Sequence, residues 1–412
     1  MEEWKEYKLG DITSKIGSGA TPKGGKESYL GGDIALIRSQ NILDFAFTNS
    51  GLAYINEDQA SKLNNVEVKE NDILLNITGD SVARACIVPQ KILPARVNQH
   101  VAIIRGNDIT DNKYLLYYLQ HIKPYLLSLS QGGATRNALT KKMLEDLDIK
   151  VPSKNVQNII VSVLSSLDDK IELNRRINEN LEQQAQALFK SWFVDFEPFK
   201  DGKFVDSELG MIPEGWKVVE TNKFMKISRN SINPTKNPNI FYAHYSIPAY
   251  DETGLPIFQY GDEIKSNKQE VADNMTLVSK LNPRIKRVWF VEKACENAIC
   301  STEFIPYQSL NNSPYFLYCY LNSKIFYDSI MTSVNGATGS HQRFQANDTL
   351  LYLFPYNEEI IYKFNTIVSG IMIHKSRLIK ENMKLAQLRD TLLPKLMSCE
   401  LKLSEIEKKL DE

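Results

Sequence analysis

The sequence predicts an α+β fold: two α/β domains separated by two long antiparallel helices forming a coiled coil, the second half duplicating the first. Two observations carry this. Text recurs about 203 residues apart, and each half ends in a long amphipathic stripe that it cannot bury alone. Gly133, Ala134 and Thr135 return as Gly336, Ala337 and Thr338, and Pro152 returns as Pro355. Asn71, ahead of Ile73-Leu74-Leu75, is matched by Asn274 ahead of Leu277-Val278, and Ile177, Glu179 and Asn180 by Ile379, Glu381 and Asn382. A period this long exceeds the ~20–50 residues of solenoid repeats, so it marks one domain-plus-helix module present twice.

The elements follow in order. Residues 1–152 alternate short β-type runs with turn signals: Ile34 to Ile37, Ile73 to Leu75, Cys86 to Val88 and Val101 to Ile104, parted by Gly and Asn pairs. Asn112 to Ser130 carries Tyr114, Leu115, Tyr118, Leu119 and Ile122 at helical spacing. Residues 201–357 repeat the plan, with Trp216 answering Trp4, a strand at Val288 to Val291 and a helix at Tyr315 to Ser323. Between them, over 153–200, Ile160, Leu164, Leu167, Ile171, Leu181, Ala185, Leu188 and Trp192 fall in a 4–3 alternation with Asn174 and Asn178 on the same stripe. Residues 358–412 do the same with Ile360, Phe364, Ile367, Ile371, Leu378, Leu385, Leu388 and Leu392; Pro394 is expected to end or kink that helix.

The chain has 412 residues, 42% of them hydrophobic, room for two or three ordinary cores. Its mean hydropathy of -0.32 and the lack of a long apolar run predict a protein of the cytoplasm that neither crosses nor binds a membrane. Five scattered cysteines read as reduced thiols. The net charge of -1 counts against nucleic-acid binding unless positive charge is concentrated locally.

Catalytic signatures are missing from the text. The nearest approach to an Asn/Asp-Pro-Pro-aromatic methyltransferase loop is Asn237-Pro238-Asn239, which lacks the second proline and the aromatic. Gly24-Gly25-Lys26-Glu27 has neither the spacing nor the hydroxyl of a nucleotide phosphate loop. Cys295 and Cys300 have no histidine nearby to complete a zinc site, and the five histidines form no triad pattern.

Binding chemistry is present in loops. The segment from Gly17 to Lys26, with Ser18, Lys23 and Lys26, offers backbone N–H groups and lysines to a phosphate, though an ordinary Gly-rich turn reads the same way. Arg38, Gln40 and Asn41, and again Arg96, Asn98 and Gln99, pair arginine, which suits guanine, with amides, which suit adenine; each is equally a solvated strand end. Arg284, Lys286 and Arg287 form the densest basic cluster of the second half. Arg136 and Asn137, and His341, Gln342 and Arg343, follow the two copies of Gly-Ala-Thr, and that equivalence ranks them first as readers of DNA.

The motifs Gly17-Ser-Gly-Ala-Thr-Pro22, Leu74-Leu-Asn-Ile-Thr-Gly-Asp80, Val97-Asn-Gln-His100, Gly132-Gly-Ala-Thr-Arg136, Gly210-Met-Ile-Pro-Glu-Gly-Trp216 and Leu388-Arg-Asp-Thr-Leu-Leu-Pro-Lys395 occur in that order. Together they closely resemble the specificity subunit of type I restriction–modification systems, over nearly the whole chain. The resemblance implies a non-catalytic subunit with two target-recognition domains, at 1–152 and 201–357, each reading half of an asymmetric split site in double-stranded DNA. It implies spacer helices at 153–200 and 358–412 that dock two methyltransferase subunits, to which restriction subunits join. S-adenosylmethionine, ATP and Mg would belong to those partners, and this chain would hold no cofactor or metal. Leu173, Gln183, Gln186 and Phe189 are the positions expected to face the methyltransferase. Two departures stand out: Ser279-Lys280-Leu281 where the first domain has Thr78-Gly79-Asp80, and Cys399 where the family usually has glycine. The competing reading is a structural adaptor whose two domains bind proteins.

Overall fold

The structure, a computed structural model, describes residues 4–22, 29, 31–131, 137–333 and 342–398. The chain divides into two compact units: unit 1 is Met1–Leu173 with Asn382–Glu412, and unit 2 is Asn174–Glu381. Each long helix contributes one end to each unit.

The strands of unit 1 are β1 (Lys5–Lys8), β2 (Thr13–Ser18), β3 (Ile34–Ile37), β4 (Ala53–Ile55), β5 (Glu67–Val68), β6 (Ile73–Asn76), β7 (Ala85–Ile87), β8 (Ala95–Val97), β9 (Val101–Gly106) and β10 (Asp148–Val151). Two four-stranded sheets result, ordered β2-β9-β6-β7 and β4-β3-β8-β5. The first is covered on both faces, which is why its strands read as unbroken apolar runs. Ile73, Leu75 and Ile104 point toward one core with the helices, while Leu74, Cys86 and Ile103 point toward a second core with Leu36, Ile55 and Val68 of the other sheet.

The helices of unit 1 are α1 (Glu57–Ser61), α2 (Asn112–His121), α3 (Lys123–Ser130), α4 (Lys141–Glu145) and the first part of α5 (Lys154–Phe193). Asp111 caps α2 by accepting from the N–H groups of Lys113 and Tyr114. The single helix expected over Asn112 to Ser130 is two, parted at Ile122: Pro124 can start a helix but has no N–H to continue one.

Unit 2 repeats the layering. Its strands are β11 (Phe204–Val205), β12 (Ile212–Pro213), β13 (Lys217–Glu220), β14 (Met225–Ile227), β15 (Ser231–Ile232), β16 (Phe241–Tyr245), β17 (Ile257–Tyr260), β18 (Lys268–Glu270), β19 (Met275–Ser279), β20 (Val288–Val291), β21 (Ala298–Cys300), β22 (Phe304–Ser309) and β23 (Leu353–Tyr356). The doubly covered sheet is β14-β22-β19-β20, beside a five-stranded sheet β15-β18-β21-β16-β17. Helices α6 (Ile247–Glu252), α7 (Pro314–Leu321), α8 (Lys324–Thr332) and most of α9 (Glu358–Met397) complete it. Asn71 and Asn274, matched by sequence, both adopt left-handed backbone, at φ 63° and 60°; asparagine tolerates that region better than most residues.

The two long helices pair antiparallel within each unit. In unit 1, Val156, Ile160 and Leu164 share a core with Leu393, Leu396 and Met397. In unit 2, Ala185, Phe189 and Phe193 share one with Ile361, Phe364, Val368 and Met372. The buried stripe departs from the expected seam. Phe189 and Phe193 are buried beside the half-buried Leu188 and Trp192, while Ile367 and Leu388 are exposed. A straight helix drifts about 20° per heptad from a 3.5-residue repeat, and each helix packs on a domain as well as on its partner. Pro394 neither ends nor breaks α9, which runs on to Met397.

Candidate nucleic-acid interface

Five segments of unit 1 converge at one rim. Gly19 N–H donates to the Asn98 carbonyl at 3.1 Å, and Asn98 N–H to Ile37 at 3.0 Å. Ile77 N–H donates to His100 at 3.0 Å, Asn76 N–H to Arg84 at 2.8 Å, and Gly79 N–H to Asn137 at 3.1 Å. Thr78 bridges to Ala138. Side chains lace the same loops: His100 Nδ1 and Thr78 Oγ1 lie 2.6 Å apart, and Asn76 Nδ2 donates to the Ser39 carbonyl at 2.9 Å. Gly19 is required here, since a Cβ would lie 1.8 Å from the Val97 carbonyl oxygen.

Unit 2 builds the same frame 203 to 208 residues on. Lys280 N–H donates to Glu303 at 2.9 Å, Ser279 N–H to Arg287 at 3.0 Å, Ser301 N–H to Tyr245 at 2.9 Å, and Asn282 N–H to Gln342 at 2.8 Å; Leu281 bridges to Arg343. Asn282 takes the place of Gly79, both with positive φ (49° and 78°). These pairings correct the sequence-based match of Ser279-Lys280-Leu281 to Thr78-Gly79-Asp80. The counterparts are Asn76, Ile77 and Thr78, two residues earlier, because hydrogen-bond register rather than local text sets the equivalence.

Expected DNA-binding residues separate by burial. Asn41 is fully buried, accepting from Arg38 N–H and donating to the Thr48 and Ser50 carbonyls. Arg96 is 7% exposed and donates to the Ala60 and Ala95 carbonyls and to Asn64. Asn98 is 4% exposed and accepts from His100 N–H. Arg287 is 8% exposed, with Nε and Nη2 each 2.7 Å from a carboxylate oxygen of Asp251. These four are structural, a correction to the sequence reading: groups held inside by fixed partners cannot turn to a base edge.

Ser18, Gln40, Gln99, Asn137, Arg284 and Lys286 are exposed, and Arg38, Gln342 and Arg343 half-buried. Gln99 accepts from the Thr21 hydroxyl, and Arg38 lies over the Tyr29 ring at 5.5 Å while donating to the Gly51 carbonyl. Lys286 lies over Tyr327 at 5.1 Å and donates to the Asn322 carbonyl. Arg343 forms a forked ion pair with Glu303, both contacts 3.1 Å. Lys23, Lys26, Arg136 and His341 lie outside the described residues, as does Cys399.

Of the four helix positions, Leu173 (49% exposed) and Gln183 are open. Gln186 is half-buried, donating to Glu182. Phe189 is the second correction: at 1% exposed it contacts the rings of Phe193, Phe316, Tyr320, Phe354 and Phe364, so it belongs to the core of unit 2. Sequence reasoning passed over Arg229 and Lys280, single cations in otherwise unremarkable text, which line a cleft at the unit 2 rim.

Among the described residues no cluster of His, Cys, Asp and Glu could hold a metal, and no helix is long and apolar enough to cross a membrane.

Residues 1–183 match the family model described as type I restriction modification DNA specificity domain. The chain is 28% identical to the type I restriction enzyme MjaIX specificity subunit of Methanocaldococcus jannaschii, across 98% of this chain and 95% of that one. It is 24% identical to the HindI specificity subunit of Haemophilus influenzae, across 97% of this chain and all of the other. The crystal structure of a type I restriction–modification S subunit from M. genitalium shares the fold, with a TM-score of 0.52, 16% identity and 96% of each chain covered.

Proposed function

We propose that the chain is a type I restriction–modification specificity subunit and that each of its two units reads one half of a split, asymmetric DNA site. The observation that carries this reading is the rim built twice on one hydrogen-bond frame with different side chains on it. Asn137 stands opposite Gln342, Ala138 opposite Arg343, His100 opposite Glu303, and Ile77 opposite Lys280. A shared frame fixes where a base edge meets the protein, and different donors and acceptors on it select different bases.

The chain supplies specificity and no catalysis. Two methyltransferase subunits dock on the open faces of α5 and α9, including Leu173 and Gln183, and restriction subunits join them. S-adenosylmethionine, ATP and Mg reside on those partners.

The test is to express the chain with its methyltransferase subunit in a host lacking such modification and to sequence the DNA for N6-methyladenine. One motif of two specified halves around an unspecified spacer is expected. Methylation at a continuous, unsplit motif, or none above background from an assembled complex, would reject the reading.

A further inference from the structure

A cleft of about 390 Å3 opens at the rim of unit 2, with Arg229, Gln269, Lys280, Thr302, Gln345 and Asn347 on its walls. Among the described residues no carboxylate lines it. Lys280 is half-buried just beyond β19, fixed by its backbone N–H to Glu303, and lines the cleft. Arg229 is exposed and oriented by one guanidinium N–H donated to Asn347 Oδ1, which leaves its other donors available. Gln269 adds an amide whose buried Oε1 has no partner among the described residues. Glu303, next in the chain to the lining residues Thr302 and Phe304, is already paired with Arg343.

Ile227, Phe304 and Ile305 form the apolar remainder of the lining. An apolar wall lowers the local dielectric and strengthens attraction between the two cations and an anion. Unit 1 has no such site at the corresponding place, because the counterpart of Lys280 is Ile77, which is buried. Its own larger cavity, beside Asn71 and Asn107, is lined by Asp108 and Asp111 together with Lys113 and Lys154, and lies at the other end of β6.

We propose that the Arg229–Lys280 cleft seats a backbone phosphodiester of the DNA half-site read by unit 2, anchoring that half independently of its sequence. This rests on the DNA-reading function proposed above. Two cations with no carboxylate among the described lining residues neutralise a phosphate well and discriminate bases poorly. The duplicated frames therefore differ in grip as well as in readout.

The experiment measures binding of the full chain, complexed with its methyltransferase subunit, to a duplex carrying the methylated motif and to a scrambled duplex, from 50 to 200 mM salt. K280Q should weaken both duplexes by the same factor and flatten the slope of log K against log salt by about 0.9, so the deficit shrinks roughly 3–4-fold across that range. K280R should restore the slope, which a merely structural loss would not. R229Q should act in the same direction. Unchanged affinity and slope in K280Q would overturn the phosphate seat while leaving DNA reading intact. A loss confined to one base position would overturn it in favour of base reading. Failure of the wild-type complex to bind either duplex would instead sink the DNA-reading function itself.

Discussion

Each unit fastens its helices to its domain through a buried tyrosine and an acid–base pair, but the two fastenings differ in their partners. In unit 1, Tyr117 donates to Asp168 at 2.6 Å, and Asp168 takes Arg389 at 2.8 Å, whose guanidinium lies 3.7 Å from the Phe45 ring centroid. In unit 2, Tyr318 donates to Glu182 at 2.6 Å, Asn322 donates at 2.5 Å, and Lys375 completes the group. The surrounding cores differ as well: Val156, Ile160 and Leu164 meet leucines in unit 1, whereas Phe189 and Phe193 meet a cluster of rings in unit 2. In both units the acid sits on α5 and the base on α9. Duplication alone would have exchanged the helices, so the charges have been reassigned since. The 202-residue offset that carries Ile177 to Ile379 carries Leu173 to Lys375 and Ala187 to Arg389. A second copy of α5 would thus offer Leu173 and Ala187 where α9 offers its two bases. The helical pair is complementary rather than self-complementary.

The largest expected effect lies in the aromatic core. Phe189→Ala removes five ring contacts and leaves a cavity, so thermal or urea unfolding should show a loss of roughly 3–5 kcal/mol. A variant with unchanged stability but failed methyltransferase binding would return Phe189 to the partner surface and break the comparison of cores.

Next in size is the Glu182 group. Burial raises the carboxyl's pKa, but the Lys375 ammonium and the hydrogen bonds from Lys375, Tyr318 and Asn322 outweigh it and hold the group below its usual 4.5. A depressed folded-state pKa stabilises the protein fully above the unfolded value and loses that contribution as pH falls through the folded one. Unit 2 should therefore weaken below about pH 4.5. Glu182→Gln should cost about 2–3 kcal/mol at neutral pH, since Lys375 and the buried Tyr318 lose a charged acceptor. It should also flatten the acid limb of the stability curve. Wild-type and variant melting curves that stay parallel from pH 7 to 3 would show that Glu182 contributes nothing specific.

The smallest effect tests complementarity. A fragment of residues 1–200 can pair only through two copies of α5, without either base. Introducing Leu173→Lys and Ala187→Arg should tighten its homodimer roughly three- to tenfold, as expected from about 0.7–1.4 kcal/mol of ion pairing, read by sedimentation equilibrium. Equal dimerisation of parent and variant would mean that the acid–base pattern does not select the partner helix.

The sequence by itself determined the duplication, the strand runs that build the doubly covered sheets and the two long helices. Each is written in local text: alternation, helical spacing and turn residues such as Asn71 and Asn274 act over a few positions, and the copy shows them twice. Only the tertiary structure decided which polar residues remain available at the rims. Arg96 and Arg287 look like Arg38 and Arg343 in the text, yet Arg96 is enclosed by Ala60 and Asn64 and Arg287 by Asp251, 36 residues away in the chain. Lys280 carries no local signal, and it acquires a role only because β14, β18 and β22 bring Arg229, Gln269 and an apolar wall beside it. The same holds for Phe189, read from the sequence as facing the methyltransferase, whose burial was set by the domain packed against its helix. Periodicity fixes an element and its phase, whereas burial and ion pairing depend on residues that the chain brings together only when folded.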